Sequence, residues 1–362
     1  VSGNGSDPGR PAGRRPRYPG RNPRRFDQRY KELAPERFPG IVAHIRARGG
    51  TPAGSHVPIL VDAVLAALDP RPGDIVCDGT LGAGGHARAI LARILPGGRL
   101  VGLDRDADAL ARTRERLADA GDAVSLHQAS FAWMASIAAA EGGGFDGILL
   151  DLGLSSMQID DPERGFSYKD EGPLDMRMDR ASGRTAAHLL AAIDAGRLAD
   201  ALREFADEPD ADQVAQAIVA ARERGPLRTT ADLARAVLAA KGLTPAAWRQ
   251  RARAGDAGPH PAARTFQAVR ILVNGEMDAL ERVLADAPEC LRPGGRIAVL
   301  SFHSGEDRRV KQAFRDGLRG GLYDAMSEDV IRPSPDEVRS NPRAAPARLR
   351  WARRAGGAAN GG

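Results

Sequence analysis

The 362-residue sequence predicts an α/β protein: a parallel sheet with helices on both faces and a helical segment inserted into it. Three observations predict this. Between residues 74 and 151, four short apolar runs alternate with helical patterns. From about 160 to 262, amphipathic helical stretches follow one another without a strand. After 263 the alternation resumes. Parallel strands need a long crossover, usually a helix, so strand–helix alternation marks a parallel sheet.

The first fifty residues open "VSGNGSDPGRPAGRRPRYPGRNPRR" and carry 12 Lys+Arg against 4 Asp+Glu. Rich in Gly, Pro and Arg, they lack the apolar content to pack a core and are expected to be a disordered tail. From His56 the character changes. "HVPILVDAVLAAL" puts Ile59, Leu60, Ala63, Val64, Ala67 and Leu68 at helical spacing. The repeats then run "DIVCD" and "HARAILARIL", "RLVGLD" and "ADALARTRERLADA", "AVSLHQ" and "FAWMASIAAA", and finally "FDGILLD". A Rossmann-like core over 51–160 and 263–354 follows from this order.

The inserted stretch 161–262 contains "AAHLLAAI", "GRLADALREF", "DQVAQAIVAARE" and "TTADLARAVLAA"; in the last, Thr229 followed by Asp232 makes a capping-box-like start. It is expected to help present the substrate. The core resumes with one long helix around "TFQAVRILVNGEMDALERVLADAPECL", a turn at Gly294 and Gly295, the strand "RIAVLSF" and a helix from "GEDRRVKQAF". "RLRWARR" reads equally as an RNA contact or as an edge strand whose arginines face water. Residues 355–362 read as a disordered end.

Charge and composition exclude several classes. The segment 332–354 has seven Arg against two acids, so residues 51–331 carry a net charge near −8 between two basic ends. Basic ends suit a polyanion, although a solubilising tail has the same composition. Cys77 and Cys290 stand in apolar surroundings without CxxC or Cys/His spacing, against a disulfide framework or zinc knuckle. No apolar run approaches the ~20 residues of a membrane span and no signal-type segment opens the chain, so a cytoplasmic protein away from membranes is expected. Asp160, Asp161 and Glu163 read as solvated loop acids, and no metal is expected; "GLSSM" lacks the GxSxG elbow of a serine hydrolase.

In an open parallel sheet the ligand crevice lies beyond the carboxyl ends of the strands. Asp78 closes the first strand, Gly82, Gly84 and Gly85 form the next turn, Asp104 ends the second strand, Asp151 ends the fourth and His303 follows the fifth. Glycines let a ligand approach the backbone closely, and an acid 20 positions beyond Gly84 can accept from a ribose diol. A nucleoside-containing cofactor is implied. "GAGGHA" meets the loose form GxGxxA through Gly82, Gly84 and Ala87, which leaves NAD and a dehydrogenase open. S-adenosylmethionine is favoured on four counts. Asp78 is placed for the methionine ammonium, Ser130-Phe131 for the adenine and "DLGLSS" for a carboxylate at the point of methyl delivery, while the basic ends suit a nucleic-acid acceptor.

"HVPIL", "DGTLGAGGHARAIL", "GLDRD", "ILLDLGLSSMQIDDPERGFSY", "GPLDMRMD", "HPAARTFQAVRILVNGEM", "GGRIAVLSFHSGEDR" and "SNPRA" together resemble, in order, the signatures of the RsmH (MraW) family. Those are S-adenosylmethionine-dependent methyltransferases acting on the N4 amine of a cytidine in the decoding centre of small-subunit ribosomal RNA. The resemblance covers roughly residues 55–350 and implies a Rossmann-like S-adenosylmethionine methyltransferase fold. It also implies that Gly84, Gly85 and His86 line the methionine part of the cofactor, Asp104 holds the ribose, Phe131 flanks the adenine, and Asp151 and Gln158 complete the pocket. His86 and Gln158 come from the resemblance alone. Small-subunit ribosomal RNA or the assembled subunit is the implied partner; a homodimer is left open.

An amine conjugated with the cytosine ring is a poor nucleophile, so the protein must orient it and accept its proton. Asp151 is the first candidate, with His303 and Asp307 next. His56 and His260 adjoin prolines and read as turn residues; Arg177 and Arg180 either pair with Asp175 and Asp179 or meet phosphate.

Overall fold

The computed structural model describes residues 58–255 and 258–356. The expected N-terminal tail, His56 and the final residues from 357 lie outside them.

The sheet is made by β1 (Ile75–Asp78), β2 (Arg99–Asp104), β3 (Val124–Gln128), β4 (Phe145–Asp151), β5 (Leu291–Ser301), β6 (Tyr323–Met326) and β7 (Arg348–Arg354), ordered 3-2-1-4-5-7-6. β1 pairs in parallel with both β2 and β4, and β4 with β5, while β7 is antiparallel to both β5 and β6. This is the doubly wound order with one reversed strand near an edge, and its switch point lies between β1 and β4. "RLRWARR" is therefore not an edge strand: β7 has a partner on each side, and Arg350 is buried.

Alternation along the central strands explains why both faces are covered. Ile148 and Leu150 pack with Phe145, Val283 and Phe314 on one face, while Leu149 packs with Val64, Ile90 and Leu300 on the other. Helices α1 (Val61–Leu68), α2 (Gly85–Ile94) and α3 (Ala107–Arg116) contribute to the second face. On the first lie α4 (Met134–Ala140), a 15-residue helix from Glu276 and a 16-residue helix from Ser304.

A short α5 (Ser156–Asp160) follows β4, and the helical layer then comprises α6 (Ala186–Ala192), α7 (Ala195–Ala206), α8 (Ala211–Arg224), α9 (Thr230–Ala240) and α10 (Pro245–Ala254). Thr229 caps α9 in a complete capping box with Asp232. Two sequence expectations need correction. The long helix after 263 is two helices, α11 (Ala263–Asn274) and α12 (Glu276–Cys290), broken at Gly275 with φ 58°, a left-handed conformation that glycine adopts freely. And the apolar cluster of the helical layer does not stop at 262: Phe266, Ala268 and Val269 of α11 pack against Leu190, Leu198, Leu202 and Val237. The last core helix is α13 (Ser304–Arg319), followed by α14 (Pro335–Ser340).

Candidate active site

A cavity of about 590 Å³ opens at the carboxyl ends of β1, β2 and β4, within the size range of small-molecule sites. Its floor is the turn from Gly79 to Gly85, tied to both neighbouring strands: Gly79 N–H donates to Leu149 O and Leu81 N–H to Leu103 O, each at 2.9 Å. From outside, Thr113 Oγ1 donates to Gly82 O and Arg116 to Ala83 O. Gly82 and Gly84 have φ of 49° and 74°, and no side chain caps α2, so its first turn faces the cavity at Gly85 bare.

Asp104 lies on the wall with both oxygens engaged from behind. Oδ2 accepts from Gly82 N–H and Oδ1 from Asp106 N–H, both at 2.8 Å. Burial raises its carboxyl to about 6. Each oxygen keeps a second lone pair, so the group can still accept from a diol. Phe131 and Ala129 form an apolar wall after β3, with Ser130 capping the short turn that aims Phe131.

Asp151 lines the cavity at the end of β4. Its N–H donates to Thr80 Oγ1 at 2.6 Å, Oδ2 lies 3.5 Å from His86 Nδ1, and Oδ1 is buried without a hydrogen-bond partner. Burial, with Glu306 second, raises its carboxyl to about 7. A buried unpaired oxygen costs free energy unless a ligand meets it. His86 is 6% exposed, and its Nε2 meets the carbonyl of Ile59 at 2.9 Å.

Beyond Asp151 the cavity wall carries charged pairs. Arg270 Nε lies 2.8 Å from Glu276 Oε1, across the break between α11 and α12. His303 caps α13, its Nε2 3.0 Å from Glu306 Oε1, while Glu306 Oε2 accepts from Phe302 N–H. Burial pushes Glu306 upward, but His303, the Phe302 amide and Arg270 outweigh it and hold the carboxyl low. At the rim, Arg343 Nη2 meets both oxygens of Asp160 at 3.1 Å.

Of the residues expected from sequence, Gly82, Gly85, His86, Asp104, Phe131, Asp151, Gln158 and His303 line this cavity. Three stand elsewhere. Asp78 is 1% exposed behind the turn, where Oδ1 accepts from Thr80 N–H; burial raises it to about 6, and it steadies Thr80 and through it Asp151. Gly84 turns away from the wall, and a Cβ there would come within 2.7 Å of Thr113 Cγ2, so helix packing demands this glycine. Asp307 does not face the cavity: it holds Arg350 of β7 with Nε at 2.7 Å from Oδ1, a contact 43 residues away in sequence. Gln158 is on the wall with its amide engaged: Oε1 accepts from Ser155 N–H, and Nε2 donates to Asp106 at 2.8 Å. His260 stacks on Tyr168, and Arg177 pairs with Asp175 at 2.7 Å.

Sequence reasoning missed Thr80, Asp106, Arg164, Arg270, Glu276 and Glu306. Asp106 carried a signal, since an Asp ahead of an amphipathic run is a helix N-cap. Thr80 gains its role from Asp151 and Arg164 from Asp106, partners far along the chain, while Arg270, Glu276 and Glu306 pair with near neighbours on helices that only the fold brings to the cavity. Among the described residues no group of three or more His, Cys, Asp or Glu is placed to hold a metal ion, and no helix is long and apolar enough to cross a membrane.

The model of the MraW methylase family matches residues 53–355. The chain belongs to this family. The dehydrogenase reading left open by "GAGGHA" is thereby set aside. The chain is 41% identical over 346 residues to "Ribosomal RNA small subunit methyltransferase H 1" of Agathobacter rectalis, covering 94% of this chain and 97% of that one. It is 47% identical over 304 residues to "Ribosomal RNA small subunit methyltransferase H" of Sorangium cellulosum, covering 84% and 92%. The methylase family accords with a glycine-floored cavity whose wall carries two carboxylates, Asp104 and Asp151.

Proposed function

We propose that this protein transfers a methyl group from S-adenosylmethionine to the N4 amine of a cytidine in small-subunit ribosomal RNA, at the decoding centre. The observation that carries the reading is Asp151 Oδ1, buried and unpartnered on the cavity wall beyond the glycine turn. The substrate class rests on the relatives, which are named as methyltransferases of small-subunit ribosomal RNA.

The residues present fit the cofactor. The bare start of α2 and the glycine turn admit a ligand against backbone amides, Asp104 suits a ribose, and Phe131 with Ala129 gives an adenine an apolar surface. When bound, S-adenosylmethionine supplies an electrophilic methyl on a sulfonium. Asp151 accepts a hydrogen bond from the amine, orients its lone pair along the line of attack and takes the proton released as the carbon–nitrogen bond forms. The helical layer bears on the rest of the substrate, and the cytidine enters unpaired or flipped.

The test is to incubate the protein with S-adenosylmethionine and small subunits from cells lacking this enzyme, then analyse the digested RNA by mass spectrometry. N4-methylcytidine is the expected product. A different methylated nucleoside would overturn the acceptor assignment, and intact cofactor binding without any product would overturn the RNA substrate.

A further inference from the structure

We infer that helix α10, Pro245–Ala254, is a docking surface for the phosphate backbone of the RNA substrate; this rests on the function proposed above. Among the described helices of eight residues or more, α10 is the only one with no buried residue. A helix of a globular protein ordinarily exists to bury an apolar stripe, and ten residues in isolation make a marginal helix. Yet α10 is specified at both ends. Thr244 accepts from Ala247 N–H, Pro245 occupies the first turn, and Gly255 closes the helix at φ 82°. Local sequence thus builds a helix that the apolar core does not use.

What α10 offers is charge. Arg249, Arg251 and Arg253 are exposed and the helix contains no acid, while residues 51–331 as a whole are net acidic by about 8. Arg249 and Arg253 stand at i and i+4, a like-charge pair that weakens an isolated helix and is relieved by an anion laid across it. Arg251 points to the other side, so cations flank the helix.

The helix is also anchored near the cavity. The Trp248 ring meets His260 edge-on at 5.1 Å, His260 stacks on Tyr168 at 4.3 Å, and Tyr168 meets Phe266 at 5.6 Å. Phe266 belongs to α11, whose Gln267 and Arg270 line the cavity. Three guanidinium groups carried on this aromatic ladder, which leads to a helix lining the cavity, match a polyanion.

The experiment compares the unsubstituted protein with R249A/R251A/R253A and R249K/R251K/R253K. Binding to isolated small-subunit RNA and to assembled subunits is measured from low to physiological salt, with cofactor affinity measured in parallel. We expect the alanine variant to lose about tenfold or more in RNA affinity at low salt and its log–log salt slope to fall by about 2, each phosphate contact contributing ~0.7–0.9. The lysine variant should keep most of both, and cofactor affinity should not move. Equal affinity and slope for the alanine variant, with the unsubstituted protein methylating RNA normally, would overturn the helix while leaving the proposed function intact. Loss of binding to assembled subunits but not to RNA would overturn it in favour of a ribosomal protein partner. Failure of the unsubstituted protein to bind RNA would overturn both.

Discussion

Asp151 Oδ2 lies 3.5 Å from His86 Nδ1, while the other ring nitrogen of His86 meets the carbonyl of Ile59 at 2.9 Å. A carbonyl only accepts, so Nε2 carries the proton and Nδ1 presents a lone pair to the carboxylate. Two acceptors face each other, and the pair is most stable holding one proton. Burial pushes both groups towards neutrality, Asp151 up to about 7 and His86 below its ordinary value.

Turnover should therefore rise with pH through about 7, as Asp151 ionises and becomes able to accept from the amine. Asp151→Asn should cost about 10²–10⁴-fold in kcat and remove this limb from the profile. The same shift fixes a stability sign. A carboxyl raised in the folded state contributes stability that is present below pH ~4 and lost as pH rises through about 7. The variant's melting temperature should accordingly gain on the parent's between pH 5 and pH 8; a pH-independent difference between the two would exclude the raised carboxyl.

Asp104→Asn should weaken cofactor binding at least about tenfold, the scale of one lost charge-assisted hydrogen bond. The new amide would also point a donor at Gly82 N–H or Asp106 N–H, both of which need an acceptor. In the unsubstituted protein, affinity should fall as pH drops through about 6, where Asp104 takes up its proton. Calorimetric titration with the cofactor product at pH 5, 6 and 8 reads both effects.

Arg164 and Asp106, 5% and 3% exposed, hold each other at 2.6 Å, and Arg164 also donates to the carbonyls of Arg177 and Met178. The contact pins the start of the helical layer to the N-cap of α3, next to Asp104. Arg164→Ala leaves a buried carboxylate with less compensation and should cost about 3–5 kcal/mol in urea unfolding. Burial pushes Asp106 up, but Gln158 and Arg164 outweigh it and hold it low. Its contribution is present above pH ~4 and lost as pH falls through the depressed value, so the deficit of the variant should shrink in acid.

Gly165 has φ 71°, and a Cβ there would sit 2.2 Å from the carbonyl of Pro173. Gly165→Ala should destabilise by at least ~2 kcal/mol, from the left-handed conformation and the backbone collision together. Because Arg164 is the preceding residue, cofactor affinity should fall along with the unfolding midpoint; an unchanged midpoint would sink this account.

The strand ends that carry the site were legible in sequence because buried parallel strands read as short apolar runs, and a polar residue terminating such a run is brought close to the crevice by topology, although Asp78 shows that its side chain can be turned away. Asp104, Asp151 and the glycine turn were found that way, and the capping box at Thr229 was found from local hydrogen-bond chemistry. The break at Gly275 was not, since apolar spacing runs on through a residue whose positive φ leaves no trace in periodicity.

By itself, then, the sequence determined the layered α/β plan, the place of the cavity and the main carboxylates around it, all consequences of periodicity and backbone chemistry over a few residues. Only the tertiary structure decided which acids face the cavity. Asp78 and Asp307 are turned to Thr80 and Arg350, while Glu276 and Glu306 are brought in from the second half of the chain. A carboxylate's role depends on its nearest charge and its burial, and both are set by residues that meet only when the chain has folded.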